Sequence, residues 1–129
     1  MEKESMSRKK ILVVDDSKTA LFMVLTILRK ERYELVTAGD GQQALDVATL
    51  ERPDLILMDV VMPRKTGFEA CRELKQREDT KAIPVILVTT RGEGENVEAG
   101  YESGCNDYVT KPINALELLT KVRDHIGAR

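Results

Sequence analysis

The chain has 129 residues and a mass of 14.5 kDa, enough for one domain with a single core that needs neither a metal staple nor disulfides. Lys and Arg number 20 against 22 Asp and Glu, a formal net charge of −2, which argues against the broad basic surface of a dedicated nucleic-acid binder. Two cysteines, Cys71 and Cys105, are too few for a secreted disulfide framework, and 42% hydrophobic with 33% charged residues fits a folded cytoplasmic domain rather than disorder.

Met1 to Lys10 mixes Glu2 and Glu4 with Lys3, Arg8, Lys9 and Lys10 and has no apolar run, so it is no signal peptide and reads as a frayed tail, flexible over residues 1–8 with the domain from residue 9. No run of about 18 apolar residues exists to span a membrane. From Ile11 onward, short apolar runs alternate with stretches at helical spacing, the pattern of a parallel sheet covered on both faces by helices. The runs are Ile11–Val14, Leu35–Ala38, Leu55–Met58, Val85–Val88 and, more weakly, Tyr108–Thr110. Between them, Ala20, Leu21, Val24, Leu25, Ile27 and Leu28 make a wide helical stripe that Asp16 or Ser17 can cap. A second helix over residues 41–50 turns Ala44, Leu45 and Ala48 inward and stops before Pro53. A third carries Phe68, Cys71 and Leu74. A fourth, near Glu93 to Ser103, contains Gly94 and Gly100, each costing about 1 kcal/mol relative to alanine, and is expected to be short or mobile. The fifth opens with Asn114 and Glu117, a variant of the capping box, and packs through Leu118, Leu119, Val122 and Ile126. The expected class is α/β, a doubly wound five-stranded parallel sheet with five helices, and no output domain is read from the chain.

In such folds ligands bind beyond the carboxyl ends of the strands. The first strand runs into Asp15 and Asp16, and the third ends in Asp59. Three carboxylates converging there repel by about 4 kcal/mol per pair at about 4 Å and an effective dielectric of about 20, so they need raised pKa values or a counter-ion. Mg²⁺ is the natural one, because it takes oxygen ligands and keeps waters that leave room for a phosphoryl oxygen. Thr89 and Thr90 end the fourth strand and Lys111 and Pro112 follow the fifth, adding a hydroxyl and a cation. Phosphoryl transfer asks mainly for positioning and charge neutralisation, so a carboxylate such as Asp59 can attack.

These residues resemble the receiver domains of two-component response regulators, over about residues 9–126. The matching pieces are Asp15-Asp16, the run from Asp59 through Met62-Pro63 to Gly67, Thr89, and Tyr108 through Lys111-Pro112, together with the intervals between them. The resemblance implies a flavodoxin-like strand order 2-1-3-4-5, Asp59 as phospho-acceptor, Asp16 and Asp59 as direct Mg²⁺ ligands, Asp15 acting largely through water, and the Val61 carbonyl as a further ligand. It implies that Thr89 and Lys111 contact the phosphoryl group, that the Lys111–Pro112 bond is cis, and that Tyr108 is a rotamer switch turning inward as Thr89 moves. A sensor histidine kinase or phosphotransfer protein is then the donor. The output is a protein contact through the surface of the fourth helix, fifth strand and fifth helix, with no direct nucleic-acid or membrane binding, in a monomer or an activation-linked dimer.

Several residues leave alternatives open. Tyr108 also reads as a merely half-buried tyrosine. Thr90 stands where the family often has alanine, and alternation lets only one hydroxyl face the site, expected to be that of Thr89. Val61 and Arg91 flank the approach of water and are read as tuning acyl-phosphate lifetime, Val61 by exclusion and Arg91 by charge. Met58 and Met62 read as packing, Cys71 as an inert buried thiol, Cys105 as more exposed, and His125 as a residue of the last turn of the fifth helix, where a cation is mildly favoured, without a catalytic role. Glu93, Glu95, Glu98 and Glu102 give an acidic surface suited to solvent or to a basic partner. The Val88–Arg91 and Asp59–Pro63 runs look like those of chemotaxis- or motility-associated regulators, and the chain also reads as a receiver excised from a larger regulator. A small Mg²⁺-dependent aspartyl phosphatase is the competing class, but its Asp-x-Asp motif after the first strand is not matched by Asp15-Asp16-Ser17. The chain is therefore expected to be a switch and not an enzyme acting on other substrates.

Overall fold

The computed structural model describes residues 8–90 and 101–127. Its elements in chain order are β1 (Lys10–Val14), α1 (Lys18–Leu28), β2 (Glu34–Ala38), α2 (Gly41–Glu51), β3 (Leu55–Asp59), α3 (Gly67–Gln76), β4 (Val85–Thr90), β5 (Asp107–Lys111) and α4 (Ala115–Ile126). The five strands are parallel in the order β2-β1-β3-β4-β5, as the resemblance implies. Four helices are defined among the described residues, not five. The helix expected near 93–103 falls mostly on residues 91–100, outside the described residues, although Tyr101 and Glu102 are helical.

Strand alternation divides the core in two. Leu12, Val14, Ile56, Met58, Val85 and Leu87 pack on one face against Ala44, Leu45 and Ala48 of α2 and Ala70, Cys71 and Leu74 of α3. Ile11, Val13, Leu55, Leu57, Ile86 and Val88 pack on the other against Val24 and Leu28 of α1 and Leu118, Leu119 and Val122 of α4. Neighbouring residues of one strand thus enter opposite layers, which is why the central strands read as continuous apolar runs. The edge strand β2 is only half-buried at Leu35 and Val36.

Caps set where each helix leaves the strand ends. Ser17, not Asp16, caps α1 by accepting from the Ala20 N–H at 3.2 Å. Asp40 caps α2 through the Gln43 N–H at 2.8 Å. Asn114 caps α4 through the Glu117 N–H at 2.9 Å. A reciprocal capping box stands at α3, where Thr66 and Glu69 each accept from the other's backbone N–H. The frayed tail read over Met1 to Lys10 does not extend to its last residues: Lys10 opens β1, and the Arg8 guanidinium donates to the carbonyls of Arg32 and Tyr33, both at 3.1 Å. Among the described residues no helix is long and apolar enough to cross a membrane.

Candidate functional site

The pocket follows from strand parity. Asp15, Asp59 and Lys111 stand two residues beyond Val13, Leu57 and Val109, which pack in the layer of α1 and α4, so alternation sends the three polar side chains to that same side as their strands end. Asp15 and Asp59 are buried, Asp16 is exposed, and the three carboxylates offer oxygens within 4.8 Å of one another. Lys111 reaches back across the rim, with Nζ 2.9 Å from Asp59 Oδ1 and 3.6 Å from Asp15 Oδ2. The Lys111–Pro112 peptide is cis. The second oxygen of the Asp15 carboxylate accepts from the Ser17 N–H at 2.9 Å, tying it to the start of α1.

Three carboxylates against one ammonium leave the pocket anionic. Burial pushes the Asp59 carboxyl above the usual carboxylate range, with the charges of Asp15 and Asp16 adding to it and the Lys111 hydrogen bond and charge opposing it. Burial pulls the Lys111 ammonium down, but its hydrogen bond to Asp59 and the charges of Asp59 and Asp15 outweigh that, and its pKa is raised. The ionised form of Asp59 is thus disfavoured by its surroundings, which is the condition that favours a cation or a covalent change of charge at that carboxylate.

The pocket has relatives. The family described as response regulator receiver domain matches residues 11–123. The chain belongs to that family. It is a receiver domain of two-component systems. It is 39% identical over 113 residues to protein PilH of Pseudomonas aeruginosa, covering 88% of this chain and 93% of that protein. It is 44% identical over 115 residues to the response regulator PleD of Caulobacter vibrioides, covering 88% of this chain but 25% of PleD. The first of the curated relatives, a probable transcriptional regulator ycf27 of Cyanophora paradoxa, is spanned over 48% of its length, so the chain spans half or less of these longer proteins. Among solved structures, a response regulator from Chloroflexus aurantiacus superposes with a TM-score of 0.90 at 32% identity, covering 93% of this chain and 98% of that one. The receiver domain of the sensor histidine kinase PA1611 of Pseudomonas aeruginosa, which has a magnesium ion coordinated in its active-site cleft, superposes at 0.86 with 31% identity, covering 93% and 98%.

Residues of this receiver domain fit such an ion. The donors are all oxygens, the kind a hard divalent cation takes. Thr89 is 3% exposed, and its Oγ1 is the buried side-chain atom left without a hydrogen-bond partner among the described residues. A buried hydroxyl in that state loses its hydration without compensation. Thr89 lies two residues past Leu87 on the α2/α3 side of the sheet, the side that also takes Tyr108, and Leu87 and Tyr108 are register partners between β4 and β5. Thr89 and Tyr108 thus share one face, while Asp15, Asp59 and Lys111 share the other at the strand ends.

Tyr108 is buried rather than half-buried, with its ring edge-on to Tyr101 at a centroid separation of 5.3 Å. Val61, two residues after Asp59, is 65% exposed at the mouth of the pocket. Arg91 lies outside the described residues, as does the Thr90 side chain and most of the acidic stretch 92–104. Cys105 corrects its sequence reading: it is buried, and burial, with Cys71 adding to it, pushes its thiol up to about 11. It packs in the same layer as Cys71, because the turn through Gly104 (φ +96) folds down onto Lys75 of α3. His125 is in the last turn of α4, 3.1 Å from Asp107 Oδ2, a partner 18 residues away that no local spacing announces. Lys121 pairs with the same Asp107 and donates to the Tyr108 carbonyl.

The raised Asp59 pKa has a consequence for stability. A carboxyl whose folded pKa exceeds its unfolded one contributes stability below the unfolded value and loses it as pH rises through the folded value. Ionised Asp59 therefore costs stability at neutral pH. Asp59→Asn is expected to stabilise the metal-free domain there by about 1 kcal/mol, the scale of one like-charge contact at about 4 Å in a well-solvated setting, and the gain should shrink as pH falls past that raised value. Urea midpoints in chelator at neutral and acidic pH measure it. A lower midpoint for the variant at neutral pH would mean that the Lys111 bridge outweighs the repulsion.

Proposed function

We propose that this receiver domain accepts a phosphoryl group on Asp59 and uses it to switch a protein-contact surface, acting as a signalling switch rather than as a catalyst for other substrates. The observation that carries this reading is the convergence of three carboxylates and the Lys111 ammonium from three separate strand ends, with Asp59 buried and bonded to Lys111 at 2.9 Å. Asp15, Asp16 and Asp59, with the backbone carbonyl of Val61, are the groups that would hold Mg²⁺. When bound, the ion would supply neutralising charge for the pocket and for an incoming phosphoryl group.

The steps belong to this chain's side chains. An oxygen of Asp59 attacks phosphorus in line. The bond from phosphorus to the donor breaks, and its electron pair stays on the donor, an imidazole nitrogen if the donor is a phosphohistidine. Lys111, already at Asp59, stabilises charge on the equatorial oxygens, and the Thr89 hydroxyl, unpartnered and on the opposite face at rest, moves to donate to one of them. Drawing Thr89 to the phosphoryl group alters the layer it shares with Tyr108, and the β5–α4 surface with it. Moving such an equilibrium from 1:99 to 99:1 takes about 5.5 kcal/mol, more than one hydrogen bond supplies, so the inactive and active forms coexist before phosphorylation. Val61 and Arg91 tune how fast water reaches the acyl phosphate, which Val61→Asn and Arg91→Glu would alter.

A phosphotransfer protein or histidine kinase is the donor class, supported by the structure of the yeast phosphotransfer protein Ypd1 with the receiver domain of Ssk1, whose receiver superposes with a TM-score of 0.83 at 25% identity. Two settings are consistent with the relatives: a protein about the length of PilH, acting through a protein contact in the cytoplasm, or the receiver unit of a longer regulator such as PleD. Incubation with Mg²⁺ and acetyl phosphate, followed by intact mass, tests the reading. One added phosphoryl group, absent with Asp59→Asn and absent in chelator, is expected. Phosphate incorporated equally into Asp59→Asn would overturn it.

A further inference from the structure

The loop between β3 and α3, residues 60–66, carries Val61 past the pocket and is held by a contact that the acceptor chemistry does not use. Arg64 has φ 69, in the left-handed region; the other described non-glycine residue there, Arg52, is the C-cap of α2, where that conformation is ordinary. At Arg64 no helix end accounts for it. Strained backbone of this kind persists only where its surroundings hold it, and two holds are visible: the Lys65 N–H closes a three-residue turn onto the Pro63 carbonyl at 2.8 Å, and Arg64 Nε and Nη2 both donate to Asp40 Oδ2, at 3.3 and 3.1 Å. The other Asp40 oxygen caps α2, so the arginine grips a carboxylate that is itself fixed.

The backbone shows the same closeness. A Cβ on Gly41, the first residue of α2, would run into the Lys65 carbonyl oxygen and come within 2.8 Å of Lys65 Cβ, so the loop lies flush against the start of that helix. Two residues before Asp40, the Ala38 carbonyl accepts from the Asp15 N–H at 3.2 Å. The β2–α2 corner therefore touches both halves of the carboxylate pocket: Asp15 and Asp16 on one side, and the loop that follows Asp59 on the other.

We propose that the Arg64–Asp40 bridge is a positioning clamp, which sets the separation between the Asp59–Val61 segment and the Asp15–Asp16 corner and thereby the affinity of the pocket for Mg²⁺. This rests on the reading of the pocket as a cation site. Arg64 is 75% exposed on its side chain, so the clamp is an exposed ion pair with a modest effect.

Titration of the full chain with Mg²⁺ by calorimetry, with urea midpoints in chelator alongside, tests it. Arg64→Ala and Asp40→Asn are each expected to weaken Mg²⁺ binding about threefold, the scale of an exposed ion pair, and the double variant no further, because both remove one interaction. Arg64→Gly separates positioning from stability: glycine removes the Cβ penalty of a positive φ, so its metal-free midpoint should match or exceed that of Arg64→Ala while its Mg²⁺ affinity stays weakened. Parent-like affinity in Arg64→Gly, additive losses in the double variant, or unchanged affinity throughout would each overturn the clamp. A parent chain that neither binds Mg²⁺ nor takes up phosphate would instead overturn the functional reading beneath it.

Discussion

Gly67→Ala is expected to destabilise the domain by about 3 kcal/mol, the upper end of ordinary overpacking costs. A Cβ at Gly67 would lie 2.5 Å from the Asp59 carbonyl oxygen, 2.9 Å from Val60 Cα and 3.2 Å from the Asp59 carbonyl carbon. These are backbone atoms, so no rotamer change relieves the clash. The backbone cannot back away cheaply either: the Gly67 N–H donates to the Val60 carbonyl at 2.8 Å, and Thr66 and Glu69 lock the first turn of α3 through the capping box. Relief has to come from moving the end of β3, which displaces Asp59 as well. Against a total of about 5–15 kcal/mol for a domain, the loss is large. Urea denaturation should show a lower midpoint with an unchanged slope. Gly39→Ala is the control: its Cβ would meet only the end of the Gln43 side chain, at 3.4 Å, and a change within about 0.5 kcal/mol is expected. A Gly67→Ala midpoint as mild as that would show that α3 can shift away from β3.

Lys111→Met is expected to slow phosphate uptake from acetyl phosphate by about 10²-fold at saturating Mg²⁺, the usual cost of deleting one pre-positioned charge-stabilising donor. Lys111 is the ammonium paired with both Asp15 and Asp59. Methionine keeps most of the stem and removes the charge, so the effect isolates electrostatics from packing. Lys111→Arg, which keeps the charge on a different geometry, is expected to fall between. Single-turnover uptake followed by intact mass reads all three, and a Lys111→Met rate within threefold of the parent would remove Lys111 from the transfer step.

Much of this architecture was legible because its signals are local. The apolar runs at 11–14, 55–58 and 85–88 are strands buried on both faces, and such strands cannot alternate. Asn114 caps α4 from the position its neighbours suggested. Other local signals were ambiguous in kind: Asp16 and Ser17 are both good caps, and only the backbone path showed that Ser17 turns its oxygen to the Ala20 N–H while Asp16 stays exposed beside the pocket. Cys105 read as exposed because a Gly-Cys-Asn turn is usually solvated, but packing on α3 buries it.

The chain's own order of residues determined that Asp15, Asp16, Asp59, Thr89 and Lys111 stand at the ends of strands, since a strand's start and stop are written in a few neighbouring residues. Which of those side chains meet was decided in three dimensions. Sheet order and register set Asp59 beside Lys111 and Asp15 while leaving the Thr89 hydroxyl buried and unpartnered. The pairs of Arg64 with Asp40 and His125 with Asp107 are of the same kind. Contacts between residues distant in sequence depend on how whole elements pack, and no short stretch of chain encodes that.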